Sequence, residues 1–246
     1  MGKIPVAVQL YCVRHECERD LPGTIAQIAK AGFDGVEFAG FHGHGATEVR
    51  KIVEDNGLKV AGAHVPIESL IGDELPKTIE YHLELGNRFL IIPYLPESYR
   101  GSKAAWLKTA GLVNELAAAL RPHGLRTGYH NHNFEFTPVD GEIPWDTFFG
   151  NTDPDVVMQF DTGNALDGGG IAADFLGRYP GRATTVHLKE SPDGLIGEGD
   201  VNWEEVFRLC EQPGNTEWYI VEQEGDKYPP LEYVDRWLQK LRALGK

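Results

Sequence analysis

The sequence predicts a single (β/α)8 barrel, and three observations carry that reading. Short apolar, β-branched runs alternate with longer amphipathic stretches along the whole chain. The alternation gives eight such pairs in 246 residues, close to the about 250 that this barrel usually takes. Glycines also stand just past several helical runs, as in Ala31-Gly32, Asn56-Gly57 and His123-Gly124, where a left-handed residue closes a helix.

The strand segments are 5–13, 35–39, 59–65, 88–94, 126–132, 156–162, 183–189 and 218–223. Helical patterns follow at 21–31, 47–56, 75–85, 103–120, 171–176, 203–210 and 231–244, and 144–149 is a weaker pattern for the helix after the fifth strand. Strands separated by helices imply βαβ units and a parallel sheet. Eight units in this length favour closure into a barrel over an open sheet. No linker or low-complexity stretch interrupts the series, so residues 1–246 read as one domain.

Composition narrows the function classes. Hydrophobic residues make up 41% and charged residues 24%, ordinary values for a globular protein with a large core. The net charge of −14 repels phosphate backbones and argues against a nucleic-acid partner. The longest positive cluster, Arg121 to Arg126, is short. Cys12, Cys17 and Cys210 are odd in number and form no CxxC pair, so a disulfide framework is not expected and a reducing compartment fits. No apolar run approaches the about 20 residues of a membrane span. The Met-Gly-Lys-Ile-Pro start has no signal core, and Val6 stands where myristoylation after Met1-Gly2 needs Ser or Thr. Together these readings place the protein in the cytoplasm, away from membranes.

Chemistry in such a barrel sits at the C-terminal ends of the strands. Strand 2 ends near Glu37 and strand 3 at His64. Strand 5 runs into His130-Asn131-His132-Asn133-Phe134-Glu135, strand 6 ends at Asp161, strand 7 at His187 with Lys189 and Glu190, and strand 8 at Glu222. Four consecutive strands thus bring Glu135, Asp161, His187 and Glu222 towards one point. Buried carboxylates so gathered repel one another unless a cation joins them. Oxygen-rich ligation with one imidazole suits Mn²⁺ or Mg²⁺, and also Co²⁺ or Zn²⁺. Taken singly, each residue is more often a surface or hydrogen-bonded group, and Asp161 before Thr-Gly-Asn has the look of a helix cap. Their convergence in order is what favours one divalent metal.

At these residues the sequence resembles the sugar phosphate isomerase/epimerase family of xylose-isomerase-like TIM barrels, which includes the ketose 3-epimerases and is related to inosose dehydratases. The matching pieces are Asn133-Phe134-Glu135, Phe160-Asp161-Thr162-Gly163, His187-Leu188-Lys189-Glu190, Gly197-Glu198-Gly199 with Trp203, and Val221-Glu222, with Gly35-Val36-Glu37 and Gly62-Ala63-His64 before them. The intervals of 26 residues from Asp161 to His187 and 35 from His187 to Glu222 also look like the family's.

The resemblance implies Glu135, Asp161, His187 and Glu222 as metal ligands, with Glu135 and Glu222 also acting as opposed bases. One takes a proton from carbon beside a carbonyl, giving an enediolate, and the other returns one to the opposite face. It further implies that Glu190 holds sugar hydroxyls or Glu135, and that His64 and Glu37 line the substrate pocket. Asn164 stands where ketose 3-epimerases usually carry a histidine, and residues 191–196 lack an arginine often found there.

Lys189 shares the face of His187 and is a candidate substrate contact. Counting alternation back from Glu135 turns Asn131 and Asn133 inward and points His130 and His132 outward. His42 and His44 read as loop residues, Gly168-Gly169-Gly170 lacks the Lys-Ser/Thr of a phosphate loop, and Trp145, Phe148, Phe149 and Trp203 read as packing. The leading expectation is therefore a metal-dependent isomerase or epimerase of a sugar or cyclitol. The alternative is a dehydratase on a keto-sugar, inosose or dehydroshikimate-like substrate, since both reactions begin with the same proton. An endonuclease IV-like nuclease and a non-catalytic sugar-binding protein rank below these. An exposed aromatic loop set is compatible with a homo-oligomer.

Overall fold

The computed structural model describes residues 3–212 and 215–246; the Met1-Gly2 reading lies outside them. Its strands are β1 (Val6–Gln9), β2 (Gly35–Phe38), β3 (Lys59–His64), β4 (Phe89–Ile92), β5 (Arg126–His130), β6 (Val157–Asp161), β7 (Thr185–Leu188) and β8 (Trp218–Val221). All neighbours pair in parallel and β8 returns to β1, closing the barrel in sequence order.

The helices are α1 (Arg14–Ala31), α2 (Ala46–Asp55), α3 (Glu74–Leu85), α4 (Glu97–Arg100), α5 (Lys103–Leu120), α6 (Pro144–Phe149), α7 (Thr162–Asp167), α8 (Ala172–Arg178), α9 (Trp203–Glu211) and α10 (Pro230–Ala243). Among the described residues no helix is long and apolar enough to cross a membrane.

The strands are shorter than the apolar runs that foretell them. After Gln9 the chain turns into a 3-10 segment, Leu10–Val13, because the Gln9 side chain accepts the Tyr11 N–H at 3.0 Å. α1 therefore starts earlier than expected. It breaks at Asp20, whose carboxylate accepts the Gly23 N–H at 3.0 Å. That cap restarts the helix at the expected residue 21, and Pro22 falls in the first turn, where its missing N–H costs nothing. The weak 144–149 pattern does form α6, with Trp145, Phe148 and Phe149 fully buried against Tyr129 and Phe160.

Inside the barrel, side chains stack in layers. The lowest is apolar: Ala7, Ala61, Phe89, Ile91, Val157 and Ile220, with Trp218 beneath. Above it lies a polar layer of Gln9, Glu37, Gln159 and Thr185, all fully buried. The top layer carries the histidines and carboxylates of the mouth. Outward-facing apolar strand residues such as Val36, Phe38, Leu90 and Val186 pack instead under the helices in one continuous core.

Candidate metal centre and active site

The polar layer sets the geometry of everything above it. Glu37 accepts from Gln9 Nε2 at 2.7 Å and from Gln159 Nε2 at 2.7 Å, and lies 2.6 Å from His187 Nε2. Gln159 Nε2 also reaches Thr185 Oγ1 at 3.0 Å, so its oxygen is left to face His64 Nε2 at 2.8 Å. The network assigns the protons: Nε2–H of His187 donates to Glu37, and Nε2–H of His64 donates to Gln159. Nδ1 of each ring is left outside this network. Gly62 permits the close packing, since a Cβ there would meet Glu37 Oε1 at 2.7 Å.

At the mouth, ligand atoms of His64, His130, His187 and Glu222 lie within 4.8 Å of one another. His187 Nδ1 and Glu222 Oε2 are 2.5 Å apart, yet neither makes a hydrogen bond of proper geometry. His130 Nδ1 and Asp161 Oδ2 are likewise buried without a partner. Buried polar atoms are rarely left so. Unpartnered atoms on residues of this cluster suit a cation that several lone pairs share.

Charge states agree with that fit. Burial would lower His187, but Glu37 and Glu222 push it up to about 10, so a positive charge is held between the two carboxylates. A divalent cation can take that place, with the imidazole neutral. Burial works against charge on Glu37, yet His187 and His64 hold it below its ordinary range. Burial would also raise Glu222, which His187 and His130 hold well below that range. His130 is kept neutral by burial.

Asp161 has two uses. Its Oδ1 accepts the Asn164 N–H at 2.7 Å, capping α7, while Oδ2 stays open. Asn131 holds it in place, donating to Asp161 O at 3.0 Å and accepting from Asp161 N at 2.8 Å.

The other expected site residues fall in several places. Glu135 stands apart from the cluster and from the cavity wall: Oε1 accepts from Tyr129 Oη and Oε2 from the His132 N–H at 2.8 Å. The chain leaves β5 at His130 and enters a 3-10 turn, Phe134–Phe136, so the count back from Glu135 crosses a turn and loses strand parity. For the same reason the outward reading of His130 and His132 is corrected, because both line the cavity. Counting forward from core-facing Tyr129 would have found His130.

Glu37 lies beneath the cavity rather than on its wall, one layer below the mouth. Glu190 is also not free for hydroxyls. One oxygen accepts from Ser191 and Val201 N–H, and the other from Gly197 N–H and Trp203 Nε1–H, at 2.7 to 3.2 Å.

His64, Asn164 and Lys189 do line the cavity, as does Glu222. Burial opposes the charge of Lys189, but Asp161 and Glu222 raise it above its ordinary value, so an ammonium faces the mouth. Glu224, beside it, pairs with Arg14 at 2.7 Å.

Sealed inside the wall, Glu135 is pushed up to about 7 by burial, against the donors that hold it. Its folded pKa exceeds the unfolded one, so the stability it contributes is present below about 4.5 and is lost as pH rises through about 7. Thermal melts of the metal-free protein should fall in Tm over that interval. Glu135→Gln should flatten the slope, and an unchanged slope would show that Glu135 does not titrate there.

The barrel and its cation-ready mouth define a class of enzyme folds, and comparison places the chain within it. The chain belongs to the xylose isomerase-like TIM barrel family, whose model matches residues 25–244. Inosose dehydratase of Bacillus cereus is 23% identical over 255 residues, covering 85% of each chain. A sugar phosphate isomerase/epimerase from Parabacteroides distasonis superposes with a TM-score of 0.85 at 25% identity, over 99% of this chain and 95% of that one. L-ribulose 3-epimerase shares the fold, with a TM-score of 0.73 at 16% identity over 99% and 94%.

Proposed function

We propose that the protein is a divalent-metal-dependent lyase that dehydrates a keto-sugar or keto-cyclitol. The observation that carries this reading is that Glu222 faces the cavity while Glu135, the expected opposed base, is sealed in the wall. Epimerisation needs a proton carrier on each face of one carbon. Elimination needs one base and a departing hydroxyl.

His187, Glu222, His130 and His64 would hold the ion, with Asp161 Oδ2 as a further donor. Three imidazoles shift the expected ion from Mg²⁺ towards Zn²⁺, Co²⁺ or Mn²⁺. When bound, the ion supplies positive charge that acidifies the carbon beside the carbonyl. Glu222 Oε2 lies towards His187, leaving Oε1 to take that proton. The electron pair then forms the new double bond as the hydroxyl on the next carbon leaves, and the proton that Glu222 took passes to that oxygen, so that it departs as water. Lys189, which lines the cavity, would offset the negative charge that the carbonyl oxygen gains. The inosose dehydratase similarity supports the same reading.

The test is incubation of inosose and related keto-sugars with the metal-loaded protein in D2O, read by mass spectrometry. Loss of water is expected, and chelation should abolish it until Co²⁺, Mn²⁺ or Zn²⁺ is restored. Deuterium uptake without water loss would support isomerisation instead. Turnover that survives complete chelation would overturn the metal dependence.

A further inference from the structure

The cavity reaches past the histidines into a side arm between the loop after β2, the segment after β3 and one face of α3. Phe41, Val65, Pro66 and Tyr81 line this arm, with Thr78 and His82 between them. Most of its polar groups are already paired, and Ser69 Oγ and His82 Nε2 are the side-chain atoms left open among the described residues. Thr78 Oγ1 donates to Ser69 O at 2.6 Å, and Tyr81 Oη donates to His44 O at 3.0 Å. His82 Nδ1 lies 3.0 Å from Asn87 Nδ2, and Lys77 Nζ lies 2.6 Å from Glu74. Burial pushes His82 down to about 4, so that ring is neutral.

A second sugar ring entering the arm would find few free partners for its hydroxyls, and buried hydroxyls without partners are unfavourable. An apolar ring would need none. The Phe41 and Tyr81 rings sit 4.6 Å apart and tilted by 43°, and Phe38 backs Phe41 at 5.2 Å. A third flat ring extends such a cluster in the offset or edge-on contacts that aromatic groups prefer. The volume agrees. The whole cavity measures about 730 Å³, in the upper part of the range of about 300–1,000 Å³ that holds drug-sized ligands. One hydroxylated six-membered ring at the histidines leaves the arm empty.

We propose that the substrate carries an aromatic substituent on its polyhydroxylated ring, and that this substituent lies in the arm against Phe41 and Tyr81. The proposal rests on the metal-site reading for the hydroxylated ring, whereas the arm itself is built without the ion.

The experiment is calorimetric titration of the Co²⁺-loaded and the chelated protein with three probes: 4-nitrophenyl, cyclohexyl and methyl β-D-glucopyranoside. The aryl glucoside should bind at least tenfold more tightly than the methyl glucoside. Phe41→Ala should collapse that ratio, with cation content and melting temperature as controls for folding, and Phe41→Tyr should keep it. Equal affinity for the aryl and methyl probes, no measurable aryl binding, or a ratio untouched by Phe41→Ala would each overturn the proposal. A cyclohexyl probe matching the aryl one would refute its aromatic character. Aryl preference with no water loss from any keto-sugar would count against the metal-site reading and leave the arm standing.

Discussion

Glu222→Gln is expected to lower turnover by about 10²- to 10⁴-fold, the usual contribution of a positioned general base. The amide keeps the shape of the side chain, which is buried beside His187 and His130. It removes both the proton acceptor and one negative charge from the cluster. Cation affinity should therefore fall as well, and the two effects separate if turnover is measured at saturating Co²⁺. A Glu222→Gln variant that still releases water at more than a tenth of the original rate would mean that another group takes the proton. A circular dichroism spectrum and melting temperature close to those of the parent would confirm that the barrel stands.

Glu37→Gln should weaken cation binding by about 10- to 100-fold, the effect usual for losing the carboxylate behind a ligating histidine. Glu37 never reaches the cavity, so the loss acts through His187. Without the charge on Glu37, Nε2–H is no longer fixed. The amide also faces two donors, Gln9 and Gln159 Nε2. Leaving one of them unpaired costs about 1–3 kcal/mol of stability. Competition with a chromophoric chelator measures the affinity. A change smaller than twofold would show that His187 is oriented by the barrel backbone alone.

Much of this fold could be read from the chain, because it depends on periodicity. Apolar runs such as Phe89–Ile92 and the glycines that close α1 and α3 in the left-handed region leave local signatures. Even the weak 144–149 segment carried its aromatic residues at helical spacing. The mouth was legible where a residue sits on a regular strand, as His187 and Asp161 do, since parity then gives its face. It was not legible beyond the last strand hydrogen bond. Glu135 lies five residues past His130, across a 3-10 turn, and alternation has no meaning there.

Glu37 exposes a different limit. Parity correctly turns it inward, but depth along the barrel axis depends on stagger between strands. The register shift between Val36 and Glu37 is a property of the pair β2 and β3, not of either segment. The side arm had no signature at all, because it is assembled from two loops and a helix face that share no period.

The loop after β7 is tied down at many points. Glu190 gathers the amides of residues 191, 197 and 201 and the Trp203 indole, Asp193 accepts from Gln223 Nε2 at 2.8 Å and Tyr233 Oη at 2.5 Å, and Trp203 meets Trp237 of α10 edge-on. A segment tied at four places to a single carboxylate cannot loosen piecemeal, for releasing any one donor strands it in a dry interior. Loosening it means breaking several buried bonds together, so this side of the mouth is the stiffer jamb, and the freer one lies opposite, where the loops after β2 and β3 meet solvent.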